Sequence, residues 1–95
     1  MCVLHILREN DSYGYDISEK ISKFIEVNEG TIYPILRRLN DYDLVTTYLK
    51  ESNDGPPRKY YKITDSGVKR YEMLKSDWIY FNKSILKFME ETEND

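Results

Sequence analysis

Residues 29–39 read EGTIYPILRRL, and this stretch decides the fold of the chain. Four of its apolar residues are spaced i, i+3, i+4 and i+7 and so share one stripe of a helix: Ile32, Ile35, Leu36 and Leu39. Asn28 precedes the stretch and is a good N-cap, because its side chain can accept a hydrogen bond from the first helical turn. The pattern therefore predicts a helix from Asn28 to about Tyr42 with one face in the core.

The opposite face of this helix carries side chains that suit contact with DNA. They are Thr31, Tyr33, Pro34, Arg37 and Arg38. Arginine can bind guanine or a phosphate through two hydrogen bonds, and a tyrosine hydroxyl can donate to a phosphate. The face therefore predicts a recognition helix. The alternative interpretation is that the two arginines are merely solvated, since basic residues are common on protein surfaces.

A hairpin is predicted after this helix. Residues 44–50 and 58–64 are rich in β-branched and aromatic types, which favour strands. Residues 51–57 between them are polar and contain one Gly and two Pro, so they predict a projecting turn.

The predicted hairpin is basic, and its candidate DNA-binding residues are Lys50, Arg58, Lys59 and Lys62. Alternation along the second strand predicts that Tyr61 and Ile63 face the core. Tyr60 is then expected on the other face, together with Arg58 and Lys62. A basic face of this kind suits a hairpin that lies along a phosphate backbone. The alternative is that the cations only discourage edge-to-edge pairing of strands.

Two further helices are predicted before the recognition helix. Residues 3–7 have helical apolar spacing, and a second helix is expected over residues 13–23. The buried side of the second helix is predicted to include Ile17, Ile21, Phe24 and Ile25. Met1 lies directly against the first apolar stripe without a capping residue, so the native helix either begins upstream of Met1 or starts there.

A fourth and longest helix is predicted from Thr64, a plausible N-cap, to about Glu91. Its apolar residues are separated by three and four positions in turn, which is the spacing of a helix–helix seam: Tyr71, Leu74, Trp78, Phe81, Ile85 and Phe88. Such a seam predicts self-association. Trp78 and Phe81 of two copies would converge and could line an aromatic cavity. The alternative is that Trp78 is only an interface anchor.

The order of helix, helix, helix, strand, turn and strand describes a winged helix, in which the third helix enters the major groove. We therefore predict a mainly α (α+β) fold: a winged helix-turn-helix with a two-stranded wing and a long C-terminal dimerisation helix. Residues 1–64 would form the winged-helix DNA-binding domain. Residues 65–95 would form the dimerisation helix with an acidic tail.

The composition argues against several classes of protein. No apolar run approaches the roughly 20 residues that a membrane span needs, and no secretion signal is present, so we expect a cytoplasmic chain without a membrane partner. Cys2 and His5 are the single cysteine and histidine, and the sequence holds no glycine-rich phosphate loop or metal-ligand spacing. We therefore expect no enzyme, no catalytic residue, no metal and no cofactor.

The net charge of −3 favours a second hypothesis, a winged-helix module for protein interaction or ligand sensing with little DNA binding. The charge is unevenly distributed along the chain. Four acids lie in the terminal run: Glu90, Glu91, Glu93 and Asp95. Residues 1–89 consequently hold 14 basic and 13 acidic residues, which weakens the objection to DNA binding.

Four stretches carry a resemblance to a known family of bacterial regulators, the PadR-like family. Residues 13–17 are similar to its His-Gly-Tyr-Glu-Ile pattern, and residues 29–39 to its Glu-Gly-Thr-Leu-Tyr-Pro-Ala-Leu-x-Arg-Leu run. Residues 55–64, GPPRKYYKIT, resemble its wing signature. Residues 65–67, DSG, continue into the last helix as they do in that family.

The resemblance implies a winged helix-turn-helix that dimerises through its C-terminal helix and represses transcription from a roughly palindromic DNA operator. Some relatives release DNA when a small aromatic or drug-like molecule binds. We therefore expect a homodimeric repressor relieved by a small-molecule effector, in the subgroup with a short C-terminal region. The chain departs from the family in a shorter first helix and in Asp43, which stands where a glycine is usual. Asp tolerates the left-handed backbone better than most residues, so the turn is expected to survive.

Overall fold

The computed structural model describes residues 1–93 of the chain, so Asn94 and Asp95 of the predicted dimerisation segment lie outside the described residues. Its elements, in chain order, are α1 (Cys2–Glu9), β1 (Ser12–Tyr13), α2 (Gly14–Ser22), α3 (Glu29–Asp41), β2 (Val45–Ser52), β3 (Gly55–Ile63) and α4 (Asp65–Glu93). Three helices, a hairpin and a long last helix confirm the predicted fold class.

Both predicted helix caps are present. The side-chain oxygen of Asn28 accepts a hydrogen bond from the Thr31 N–H at 3.1 Å, which fixes the start of α3. The Thr64 hydroxyl accepts from the Gly67 N–H at 3.0 Å at the start of α4. These bonds satisfy amide donors that have no partner within the helix.

The sheet has three strands in the order β1-β3-β2, whereas the prediction had only the two strands of the hairpin. β1 was missed because two residues are too few to show an alternating pattern. The hairpin strands also run further than predicted, which reduces the turn to residues 53–54. β3 can contain Pro56 and Pro57 because the register shifts between Lys50 and Ser52 of the opposite strand.

The core joins three helices, the base of the hairpin and the start of α4. Its buried apolar residues are Val3, Leu4, Leu7, Ile17, Ile21, Ile32, Leu36, Leu44, Val45, Tyr61 and Tyr71. Tyr61 is buried and Ile63 packs against the same cluster, as alternation along β3 predicted.

Three residues that the sequence analysis placed in the core are exposed. Phe24 is 90% exposed and Ile25 is 50% exposed, because α2 ends at Ser22 and the chain turns away from the core. Ile35 of α3 is 36% exposed, so the buried stripe of that helix is narrower than four residues.

Asp43 has a φ of 58°, which confirms that this aspartate takes the left-handed conformation expected at the end of α3. The turn lets the Leu44 N–H donate to the Leu39 carbonyl at 2.9 Å. It also brings Leu44 against the start of α4, where a Cβ on Gly67 would lie far inside contact distance of the Leu44 carbonyl oxygen. The first turn of α4 therefore fits against this loop only without a side chain at position 67.

We expect Gly67→Ala to lower the free energy of unfolding by about 1–3 kcal/mol, because the added methyl group must push α4 away from Leu44. Urea titration followed by circular dichroism measures the loss. Gly55→Ala is the matched control, since a Cβ there meets nothing within 4 Å and should change stability by no more than about 0.5 kcal/mol. Equal stabilities of the two variants would contradict the close packing at Gly67.

Candidate nucleic-acid interface

The outward face of α3 presents all five residues that the sequence analysis selected. Thr31, Tyr33, Pro34, Arg37 and Arg38 are exposed. α3 stays helical through Pro34, which lies within its first two turns. The N-terminal half of the helix can therefore approach a partner closely, and both arginines lie on its third turn.

Tyr33 is held in place by a close approach to α2. A Cβ on Gly14 would lie 2.6 Å from Cε1 of the Tyr33 ring, so the ring rests directly on the glycine backbone at the start of α2. The sequence analysis did not assign a role to Gly14. The signal was the Tyr-Gly-Tyr pattern of residues 13–15, whose glycine is explained only once the ring of Tyr33 is seen against it.

The base of the hairpin extends this face of α3. Burial raises the pKa of Tyr61, the nearby Tyr33 raises it further, and the positive charge of Arg37 lowers it in part. Lys59 places its ammonium 5.9 Å from the centre of the Tyr61 ring. Tyr33, Arg37, Lys59 and Tyr61 thus form one surface, called here the α3–wing surface. It offers the cations of Arg37 and Lys59 and the exposed ring of Tyr33.

The structure divides the basic residues of the hairpin between two faces. Lys59 shares the face of Tyr61. Lys50 and Arg58 are Cα partners on the opposite face, and Lys62 is on that face too, opposite Thr46. The sequence analysis grouped these four cations, but a single flat partner cannot contact both faces of the hairpin at once.

The opposite face also carries a row of tyrosines, called here the outer tyrosine row: Tyr13, Tyr60 and Tyr48. Ring centres are 5.6 Å apart between Tyr13 and Tyr60 and 5.7 Å apart between Tyr60 and Tyr48. The Tyr48 hydroxyl donates to a carboxylate oxygen of Asp11 at 2.8 Å, and this bond raises the pKa of Tyr48. The row crosses all three strands and stiffens the sheet.

α4 leaves the body of the protein after its first two turns. Gly67 and Tyr71 are its buried residues, whereas every residue from 72 to 93 is exposed. The exposed apolar residues include all five that the sequence analysis assigned to a dimer contact or effector pocket: Leu74, Trp78, Phe81, Ile85 and Phe88. A helix with this much exposed apolar surface is typical of an interface.

Two polar contacts tie α1 to the start of α4. His5 Nδ1 lies 2.6 Å from the Tyr71 hydroxyl, and Arg8 forms an ion pair with Glu72 at 3.1 Å. The shorter α1 therefore still supports the root of α4, although it offers little further surface.

A cavity of about 500 Å³ opens between α1, the end of α2 and α4. Its walls include Phe24, Ile25, Tyr71, Trp78 and Ile79. Trp78 is the one residue of the predicted pocket that lines it, since the other four lie on parts of α4 outside this space. The end of α2, which the sequence analysis did not connect with a pocket, supplies the opposite wall.

No helix within residues 1–93 has an apolar stretch long enough to cross a membrane. The same residues hold no group of three or more His, Cys, Asp or Glu side chains arranged to bind a metal ion.

A three-helix body with a basic hairpin, a recognition-type α3 and a projecting last helix defines a winged helix-turn-helix protein of the transcription-regulator type. Comparison with known proteins narrows this class. Residues 3–73 match the transcriptional regulator PadR-like family, and the chain belongs to that family. Membership of a family of transcriptional regulators confirms the resemblance seen in the sequence and the prediction that the chain is not an enzyme.

Solved structures of similar proteins agree. A PadR-like transcriptional regulator from Bacillus cereus is 39% identical, with a TM-score of 0.82 over 93% of this chain and 87% of that one. A PadR family transcription regulator from Clostridium difficile is 31% identical, with a TM-score of 0.85 over 93% of this chain and 94% of that one.

The negative transcriptional regulator PadR of Bacillus subtilis is 29% identical over 87% of this chain. Its structure in complex with operator DNA superposes with a TM-score of 0.69 over 82% of this chain at 28% identity. The present chain spans 46% of the length of that protein.

We expect Gly14→Ala to lower the free energy of unfolding by no more than about 1 kcal/mol, because the methyl group would meet the far end of the 40%-exposed Tyr33 ring, which can move into solvent. Tyr33→Ala removes the ring, so the double variant should lose less stability than the two single losses added together. A double-mutant cycle by thermal or urea unfolding measures this coupling. Strict additivity would show that the ring of Tyr33 does not rest on Gly14.

Proposed function

We propose that the chain is a homodimeric, sequence-specific DNA-binding repressor. The observation that carries this proposal is the α3–wing surface, where Tyr33 and Arg37 of α3 lie near Tyr61, whose ring also carries the ammonium of Lys59. Its relative from Bacillus subtilis is a negative transcriptional regulator that has been solved with operator DNA. As a regulator of transcription it would act in the bacterial cytoplasm, where its double-stranded DNA is.

In this proposal α3 enters the major groove. Arg37 and Arg38 would bind guanine edges or phosphates, and the Tyr33 hydroxyl would donate to a phosphate. Thr31 and Pro34 would let the start of the helix come close to the bases. On the hairpin, Lys59 would neutralise the backbone beside α3, and the cations of the opposite face would neutralise the strand across the groove: Lys50, Arg58 and Lys62.

Dimerisation would use α4. Residues 1–64 would then form the DNA-binding domain and residues 65–95 the dimerisation segment. The apolar side chains of residues 72–93 are exposed in one protomer. The same helix of a second copy would cover them, because the two apolar seams match each other. Two-fold symmetry would place the two copies of α3 about 34 Å apart, one turn of DNA, which requires a palindromic operator.

A small aromatic effector would relieve repression by binding in the cavity between α2 and α4. The volume of about 500 Å³ is in the range of small-molecule sites, and the walls are largely apolar. A molecule wedged there would change the angle between α4 and the DNA-binding body. The dimer contact would then be made by Leu74, Phe81, Ile85 and Phe88. Trp78 would contact both the effector and the partner protomer. Trp78 is the single tryptophan of the chain, so its fluorescence can report occupancy.

The alternative function is a module for protein interaction or ligand sensing with little DNA binding. The net charge of −3 favours it, because an acidic chain repels phosphate at long range. The two functions differ in their response to salt, since only phosphate neutralisation makes affinity fall steeply as salt rises.

Arg37→Ala is expected to weaken binding to the promoter of the chain's own gene by about 1–3 kcal/mol, because it removes a direct base or phosphate contact. Fluorescence anisotropy against salt measures both the affinity and its salt slope. Lys23→Ala removes the same charge from the exposed end of α2 and serves as the control. Equal losses in the two variants would mean that only net charge matters. A wild-type protein that binds no DNA at low salt would favour the alternative function.

Ile85→Glu is expected to convert the dimer to a monomer, because a carboxylate would be buried twice in the seam between two α4 helices. Ser76→Glu adds the same charge on the far side of the helix and should leave the dimer intact. Light scattering coupled to size-exclusion chromatography gives the masses. A wild-type chain that elutes as a monomer at micromolar concentration would contradict the dimer proposal.

A further inference from the structure

The outer face of the hairpin places two basic residues at directly opposite positions of neighbouring strands. Lys50 of β2 and Arg58 of β3 are Cα partners in the antiparallel register. Like charges at such positions destabilise a pair of strands. An anion bound between them would reverse that effect, so this arrangement favours a phosphate ligand over empty solvent.

Each of the two cations lies over a ring of the outer tyrosine row. The Arg58 guanidinium carbon is 4.8 Å from the centre of the Tyr13 ring, and the Lys50 ammonium is 5.2 Å from the centre of the Tyr60 ring. Cation–π attraction of this kind restrains long side chains that would otherwise sample many rotamers. The two cations are therefore preformed as a pair before any ligand arrives.

Tyr48, the third ring of the row, contacts a carboxylate instead of a cation. Its hydroxyl is bonded to Asp11, which precedes β1. Because Ser12 pairs with Tyr61, Asp11 lies towards the Lys62 end of the sheet. The Asp11 carboxylate is consequently directed away from the end of the sheet that holds Lys50 and Arg58.

We infer that Tyr13 and Tyr60 are positioning residues, which hold Arg58 and Lys50 as a two-cation site for one backbone phosphate of DNA. The inference rests on the proposed function and adds residues that contact no DNA themselves. Preorganisation lowers the entropic cost of fixing two flexible side chains on binding, so the rings contribute to affinity through the cations. Tyr13 belongs to β1 and immediately precedes α2, which makes the short third strand part of the DNA site.

The test compares Tyr13→Leu with Tyr13→Phe in the full-length chain, using a fluorescein-labelled DNA duplex of mixed sequence. Tyr13→Leu should weaken binding about threefold, the size of an exposed cation–π contact, and should keep the wild-type salt slope, because Arg58 still reaches the phosphate. Tyr13→Phe keeps the ring and should bind as the wild type does. In an Arg58→Ala background Tyr13→Leu should have no further effect, because the residue it acts through is gone.

Tyr48→Leu is the matched control. It removes a ring of the same row that carries neither cation, so a purely structural role of the row would make it behave like Tyr13→Leu. Circular dichroism confirms that each variant is folded. The inference is overturned if Tyr13→Leu binds as tightly as the wild type, if Tyr13→Phe loses as much as the leucine variant, or if the loss is equally large without Arg58.

A second measurement separates this inference from the proposed function. Protons on the δ-carbon of Arg58 should be shifted upfield by the Tyr13 ring in the NMR spectrum and return to ordinary values in Tyr13→Leu. If that shift is missing in the wild type, the positioning role is wrong whatever the DNA data show. If the shift is present but the wild type binds no duplex at low salt, the proposed function fails, and with it the phosphate as ligand.

Discussion

Thr64 makes the contacts on which the relative placement of all functional parts depends. Its hydroxyl donates to the Asp43 carbonyl at 2.7 Å and accepts from the Gly67 N–H, while its backbone N–H donates to the Leu44 carbonyl at 3.1 Å. Asp43 lies in the turn after α3, Leu44 immediately precedes β2, and Gly67 lies in the first turn of α4. The side chain and backbone of this one residue therefore fix α3, the hairpin and α4 to one another.

Near the start of α3, one residue again connects two parts of the structure. Tyr33 is exposed enough to meet DNA, yet its ring rests on Gly14, so its position is set by the body of the protein. A residue that touches the core on one side and a ligand on the other loses little entropy on binding. The Tyr33 ring is therefore already in place in the free protein, as its proposed contact with DNA requires.

The sequence predicted what depends on local patterns. Asn28, Thr64 and Asp43 were assigned from capping and backbone preferences, and the structure confirms each of them. The exposure of Phe24 could not be predicted, because it depends on where α2 stops and on which element covers the next turn. Likewise, β1 has no pattern of its own and exists only through its pairing with β3.

The candidate site shows the same division. The residue types on α3 and in the hairpin were evident from spacing, but which hairpin cations share a face with α3 follows from the register, which brings Lys59 over Tyr61 and sets Lys50 opposite Arg58. The cavity of the single chain was not predicted, for a related reason. Periodicity groups residues along α4, whereas the cavity is shaped by Phe24 and Ile25, which belong to the end of another helix.

The length of α4 has a mechanical consequence. A straight helix of 29 residues is about 43 Å long, and this one is anchored at one end by its contacts with Thr64 and Leu44. It acts as a lever whose pivot lies beside the wing. In the proposed dimer, joined along α4, a tilt of a few degrees at this pivot would change the separation of the two DNA-binding domains by several ångströms. Such a small change in angle is enough to move one copy of α3 out of line with its major groove.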